Sequence, residues 1–167
     1  MASKMKKKGY TLSIPDKGFD VENFKLYCSR KEYYLCKIFS SKKEMQKWNE
    51  EDGYKTTSDY QGVCRQVDYF IVKGNKCKKS SQIGTISFYI DRIGSGIVSH
   101  EMTHAALFWF KNKFRSYSKL GIKKNDEKVC YAQGHMVMQF WNHWYELIKI
   151  GRIKKIKRNY AFKKRIK

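Results

Sequence analysis

The chain has 167 residues and carries 36 Lys+Arg against 15 Asp+Glu, a formal net charge of +21. That length suits one domain with a real core. Its 41% hydrophobic and 16% aromatic residues exclude a disordered chain, and a single Pro with no Ser/Gly tract argues against long flexible linkers.

The charge is concentrated at the ends. Residues 1–10 and 151–167 hold 13 Lys+Arg and no acid, whereas residues 11–150 hold 23 Lys+Arg and all 15 acids. The expected organisation is a basic N-terminal segment over 1–10, one domain over 11–150, and a basic tail or helix extension over 151–167. Such a field favours nucleic acid, an anionic membrane or an acidic partner without choosing among them. The most apolar run, residues 105–110, is far too short to span a bilayer, so no transmembrane segment is expected. The basic N-terminus leads into mixed sequence and not into an apolar signal region. Five scattered cysteines without a CxxC pair point to neither a disulfide framework nor a cysteine zinc site, and read as reduced thiols of a cytoplasmic protein. The sequence alone sets no oligomeric state.

The first half reads as strands with one helix. Residues 31–40, with Tyr33, Tyr34, Leu35, Ile38 and Phe39, form the first expected strand. Ser41 and Glu44 fit a capping box, which predicts a short helix through Met45 and Trp48 that ends near Asp52-Gly53. Residues 63–73 are β-branched and aromatic and predict one strand, followed by a turn at Gly74-Asn75-Lys76. Residues 83–91 alternate Ile86, Phe88 and Ile90 with Thr85, Ser87 and Tyr89, which predicts a strand covering a core on one face.

The second half reads as helical. Apolar residues from Ile97 to about Lys111 recur at helical spacing. A basic connection through Gly121 follows. Asn125 or Asp126 then caps a second helix that presents Val129, Ala132, Met136, Phe140, Trp144 and Leu147 and ends near Ile150.

The chemistry is carried by His100-Glu101-Met102-Thr103-His104, an HExxH motif. Residues four apart share one helix face, so both imidazoles can converge on one zinc ion. Glu101, rotated around the axis, can reach a zinc-bound water without being a ligand, acting as general base and then acid. With four His in the chain, a chance match has a probability of about half a percent. A catalytic zinc site needs a third protein ligand. Glu127 is the preferred candidate, at the start of the second helix. His135 and Asp126 are the alternatives, with His143 a weaker choice, and Tyr131, His135 and His143 are candidate oxyanion donors.

The segment from Ile97 to Ala106 resembles the active-site helix of zincin metallopeptidases. Glu127 with Cys130, Tyr131 and Ala132 resembles the second zinc helix of gluzincins, closest to small ImmA/IrrE-like minimal zincins. The resemblance covers about residues 80–150. Leu107 and Phe110 depart from the metzincin pattern. SprT-like proteases use a His soon after the motif, and none lies between His104 and His135. Tyr131 stands where gluzincins commonly carry an Asp.

The resemblance implies an α+β fold: a small, mostly antiparallel sheet followed by an HExxH helix and a second zinc-bearing helix. Its edge strand, at residues 82–91 here, would lie along the cleft and take a peptide by backbone hydrogen bonds. The implied function is a zinc metallopeptidase with one Zn2+ per chain, held by His100, His104 and Glu127, acting on a protein substrate. The alternative is a basic protein that binds nucleic acid or an acidic partner, with zinc structural or absent.

Overall fold

The structure, a computed structural model, describes residues 5–7, 10–12, 20–54, 60–73 and 76–152. The expected basic tail therefore lies almost wholly outside the described residues. The elements in chain order are β1 (Met5–Lys7), β2 (Tyr10–Leu12), β3 (Asp20–Tyr27), β4 (Tyr33–Phe39), α1 (Lys42–Glu51), β5 (Gly62–Gln66), β6 (Tyr69–Lys73), β7 (Lys76–Lys79), β8 (Gln82–Tyr89), α2 (Ser95–Phe114) and α3 (Lys123–Lys149). A single 3₁₀ turn, Ile90–Arg92, links β8 to the helical half. The fold is α+β. No described helix is long and apolar enough to cross a membrane.

The strands form two four-stranded sheets, ordered β2-β1-β6-β7 and β3-β4-β8-β5. Among the described residues five of the six pairings are antiparallel, and β4 runs parallel to β8. A parallel pair needs a crossover, and α1 lies within it. The Ser41 half of the expected capping box forms, its hydroxyl accepting the Glu44 N–H at 3.3 Å, whereas the Glu44 carboxylate accepts the Ser40 hydroxyl and not the Ser41 N–H.

Three expectations are corrected. Residues 63–73 are two strands in different sheets. The chain leaves β5 at Val67, whose N–H still bonds the Ile83 carbonyl at 3.0 Å, and Asp68 then turns outward to pair with Lys79. Residues 82–91 are not an edge strand, because β8 is paired by β4 on one side and β5 on the other. Nor does β8 face a core on one side only, since all eight of its residues are buried.

The polar face of β8 is covered by α1 and hydrogen-bonded to it and to β5. Asn49 donates to the Met45 carbonyl at 2.8 Å and to Ser87 at 3.4 Å, and Arg65 Nε donates to Thr85 at 3.3 Å. The Arg65 guanidinium pairs with Asp52 and lies 4.8 Å from the Trp48 ring and 5.4 Å from Tyr54. Pairing and aromatic contact offset the cost of burying that charge.

The opposite face carries the main core. Leu26, Tyr34, Ile38, Ile86 and Phe88 meet Val98, Met102, Ala105 and Phe110 of α2 and Met136 and Phe140 of α3. Tyr34 donates to the Ala105 carbonyl at 3.0 Å, and burial pushes its phenol far above its ordinary pKa. The helices run antiparallel. Gln133 donates to Thr103 at 2.9 Å near their middle, and Lys128 sits 4.6 Å from the Phe114 ring at one end. Helix α3 begins at Ile122 without a side-chain cap, so Asn125 and Asp126 lie inside it and do not cap it. Instead the Asp126 carboxylate accepts the Gly121 N–H at 2.9 Å, and Gly121 adopts φ 86, a value that favours glycine. All described cysteines are free thiols, and burial pushes Cys28 up to about 12.

A side chain at position 84 has no room. A Cβ there would collide with the Arg65 carbonyl and the Tyr34 ring. Gly84→Ala is expected to lower the unfolding free energy by about 1–3 kcal/mol or more, the usual cost of overpacking. Urea denaturation checks this, and an unchanged midpoint would contradict the tight seating of β8.

Candidate metal centre

Successive helical residues are rotated by about 100°. Burying Val98, Met102, Ala105, Ala106 and Trp109 on the core side of α2 therefore fixes where its other residues point. Thr103 falls on the flank toward α3, where it meets Gln133. Glu101 falls on the flank toward β5 and is only 7% exposed. His100 and His104 fall opposite the buried stripe, and both are exposed.

The two imidazoles converge, with their Nε2 atoms 3.1 Å apart. Nitrogens so placed can share one proton or one cation, whereas two N–H groups would repel. Two nitrogens on a tetrahedral zinc, with bonds of about 2.0–2.1 Å, lie about 3.3 Å apart, so the spacing fits that ion. Partial desolvation, and secondarily the charge of His100, lower the His104 pKa, which favours the neutral imidazole that ligates a metal.

A cleft of about 380 Å³ adjoins the pair, lined by Tyr60, Gln61, Gly62, Gly96, Ile97, His100 and Glu101. Its floor is the start of β5, the last strand of its sheet among the described residues. Gly62 makes the cleft by having no side chain: a Cβ there would lie 2.8 Å from Glu101 Cγ. Burial raises the Glu101 carboxyl above its ordinary pKa, while His100 and the Cys64 backbone N–H pull it back. A second hollow of about 300 Å³ lies further along β5, between Tyr54 at the end of α1 and Phe108 of α2.

The remaining candidates are spread over α3. Among the described residues, no group of three His, Cys, Asp or Glu is arranged to hold a metal. Glu127 is exposed and makes no hydrogen bond or ion pair among those residues. It lies six residues from Gln133, about 9 Å of helix rise toward the C-terminal end of α2. Asp126 is committed to Gly121. His135 bonds Gln139 at 3.1 Å, and Gln139 bonds Tyr27 of β3, so His135 lies on the flank away from α2. His143 stacks on Phe24 with centroids 3.9 Å apart, and burial lowers its pKa. Tyr131, a candidate oxyanion donor, is 73% exposed. None of Tyr131, His135 and His143 lines the cleft beside His100 and Glu101, whereas Tyr60 does.

Tyr60 and Gly62 escaped sequence reasoning. Gly62 carried one usable signal, because a glycine within a strand pattern marks a close approach of another group. Comparison of the chain with family models, with curated proteins and with solved structures returns no match.

The raised pKa of Glu101 has a definite thermodynamic sign. The folded state binds this proton more tightly than the unfolded state, so the contribution to stability is full below the ordinary carboxyl pKa. It is lost as pH rises through the folded value. In the presence of chelator, Glu101→Gln is therefore expected to melt higher than the parent at neutral pH, with the difference closing as pH falls toward 4.5. Melting curves across that range that coincide for the two proteins would refute it.

Proposed function

We propose that this chain is a zinc-dependent metallopeptidase that hydrolyses peptide bonds of a protein substrate. The observation that carries the reading is the convergence of His100 and His104 Nε2 at 3.1 Å beside a cleft that holds the buried Glu101 carboxyl. His100 and His104 would hold the metal, and Glu127, drawn in from its place toward the C-terminal end of α2, would be the third ligand. Asp126 and His135 are engaged elsewhere, and Glu127 is the acid in that part of α3 without a side-chain partner among the described residues. Zinc held there supplies a Lewis acid that lowers the pKa of water and polarises the scissile carbonyl.

The chain's own residues do the rest. Glu101 takes the proton of the attacking water and returns it to the leaving amine. Its burial raises its basicity, which suits both transfers. The substrate adds as a strand to the open side of β5, with its backbone aligned past Gly62. The hollow between Tyr54 and Phe108, further along the same strand, accepts a substrate side chain. Tyr60 lines the same cleft and is the hydroxyl that would donate to the substrate.

Metal content separates this reading from that of a basic binding protein. Zinc titration is expected to reach one ion per chain and to raise the melting temperature. Glu101→Gln is expected to keep the zinc and to lose about 10²-fold or more in peptide hydrolysis. Glu127→Ala is expected to weaken zinc binding while leaving the fold intact. A chain that neither binds zinc nor gains stability from it would overturn the proposal. Full hydrolysis by Glu101→Gln would overturn the role of that residue.

A further inference from the structure

The connection between α2 and α3 gathers positive charge on the body of the chain. Residues 111–124 hold six cations, Lys111, Lys113, Arg115, Lys119, Lys123 and Lys124, and no acid. All six are exposed, and none pairs with an acid among the described residues. The first acid beyond them, Asp126, accepts the Gly121 N–H at 2.9 Å and so is engaged by the backbone.

The fold gains little from these charges. Lys111 and Lys113 lie in the last turn of α2, where cations complement the helix dipole. Lys123 and Lys124 do the opposite. They open α3, whose N-terminus already carries partial positive charge and has no side-chain cap. Arg115 ends α2 in the left-handed conformation, at φ 58, where glycine is the usual residue. Three of the six cations thus stand where the helices themselves favour other residues. Charge kept at the expense of local stability marks a surface held for a ligand.

The stretch is also an ordered one. Leu120 N–H donates to the Tyr117 carbonyl at 2.9 Å, Ser118 N–H to the Ser116 hydroxyl at 2.9 Å, and the Asn125 side chain to the Lys119 carbonyl at 2.8 Å. These bonds fold residues 116–125 into a compact turn. Tyr117 within it is 40% exposed and has the Lys111 ammonium 5.1 Å from its ring centre, so aromatic surface and positive charge are presented together.

The composition selects among polyanions. Protein interfaces are enriched in Arg and poor in Lys, whereas five of these six cations are Lys. A membrane-surface segment presents a continuous apolar face, whereas Ile122 is the one exposed aliphatic side chain in the stretch. Lysines acting as point charges on phosphates, with an aromatic ring among them for a base to stack on, are the elements of single-strand nucleic-acid binding.

We infer that the α2–α3 connection binds single-stranded nucleic acid without sequence preference, its phosphates on Lys119, Lys123 and Lys124 and a base on Tyr117. This surface lies at the N-terminal end of α3, about 40 Å of helix rise from the basic tail. It uses neither His100, His104 nor Glu101, so the inference stands or falls apart from the peptidase reading.

Fluorescence anisotropy of a labelled single-stranded oligonucleotide of about 15 bases with the full chain tests it. Lys123→Glu with Lys124→Glu is expected to weaken binding about tenfold or more, and to flatten the slope of log affinity against log salt by about one to two. The same charge change at the exposed Lys76 and Lys78 of β7, as Lys76→Glu with Lys78→Glu, is expected to cost less than about threefold. Tyr117→Ala is expected to weaken binding about fivefold or more, and Tyr117→Phe to bind like the parent. Because acids suit a helix N-terminus, the Lys123→Glu, Lys124→Glu protein is expected to melt no lower than the parent, which separates lost binding from lost fold. Equal losses in the two double variants would overturn the inference, as would a Tyr117→Ala protein that binds as tightly as the parent. So would tighter binding, dependent on Lys123 and Lys124, to phosphatidylserine vesicles or to polyglutamate than to the oligonucleotide.

Discussion

The seating of α2 on the sheet governs everything else in this molecule. Val98, Met102, Ala105, Ala106 and Phe110 are buried against Ile86, Phe88 and the residues of α3, and Tyr34 ties the helix backbone down at the Ala105 carbonyl. A helix has only one rotational setting that buries such a stripe. That setting turns His100 and His104 outward and drives Glu101 into the side of β5. The convergent imidazoles and the buried carboxyl are thus consequences of packing, held by many apolar contacts that take no part in chemistry. Gly62 and Gly84 are the backbone counterpart of this constraint, because each leaves room for a neighbour that a methyl group would displace.

The four-stranded sheet beneath has two different edges. At β3 the Gln139 side chain accepts the Tyr27 N–H at 3.0 Å and donates to the Tyr27 carbonyl at 2.9 Å, so its amide takes the place of a neighbouring strand at that position. Helix α3 thereby closes one end of the β3 edge, a familiar way of protecting an exposed strand. At β5 the cleft and the second hollow lie along the other edge, beside Glu101 and Phe108. The face of the sheet away from the histidines is polar yet buried. Its Arg65, Asn49, Thr85 and Ser87 are bonded to one another and to α1, with the Asn49 carbonyl oxygen left unbonded among the described residues. This network fixes Arg65, whose carbonyl bounds the space at Gly84, so the polar layer also supports the seating of α2 from behind.

Much of the local structure was legible in the residues. The Ser41 cap starts α1, and the helical spacing of apolar residues located α2 and α3 to within a few positions. Strand β3 was not foreseen, although Phe24 and Leu26 alternate within it. The division of residues 63–73 between two sheets was also missed, because no glycine or proline separates β5 from β6 and the pairing partners that divide them are distant in sequence. The burial of both faces of β8 was illegible for a related reason. Thr85 and Ser87 look solvent-facing until Asn49 and Arg65, distant in sequence, arrive to bond them.

The sequence by itself determined that His100 and His104 would share one helix face with Glu101 displaced around the axis, since helical geometry is local and repeats every 3.6 residues. It determined equally that the strongest charge would sit at the ends of the chain. Only the tertiary structure decided that β5 and not β8 borders the cleft, that Tyr60 and Gly62 line it, and that Asp126 and His135 are engaged away from the histidine pair. Those outcomes depend on which strands pair and how two helices are set in register. Pairing and register come from contacts between residues far apart in the chain, and no local pattern encodes them.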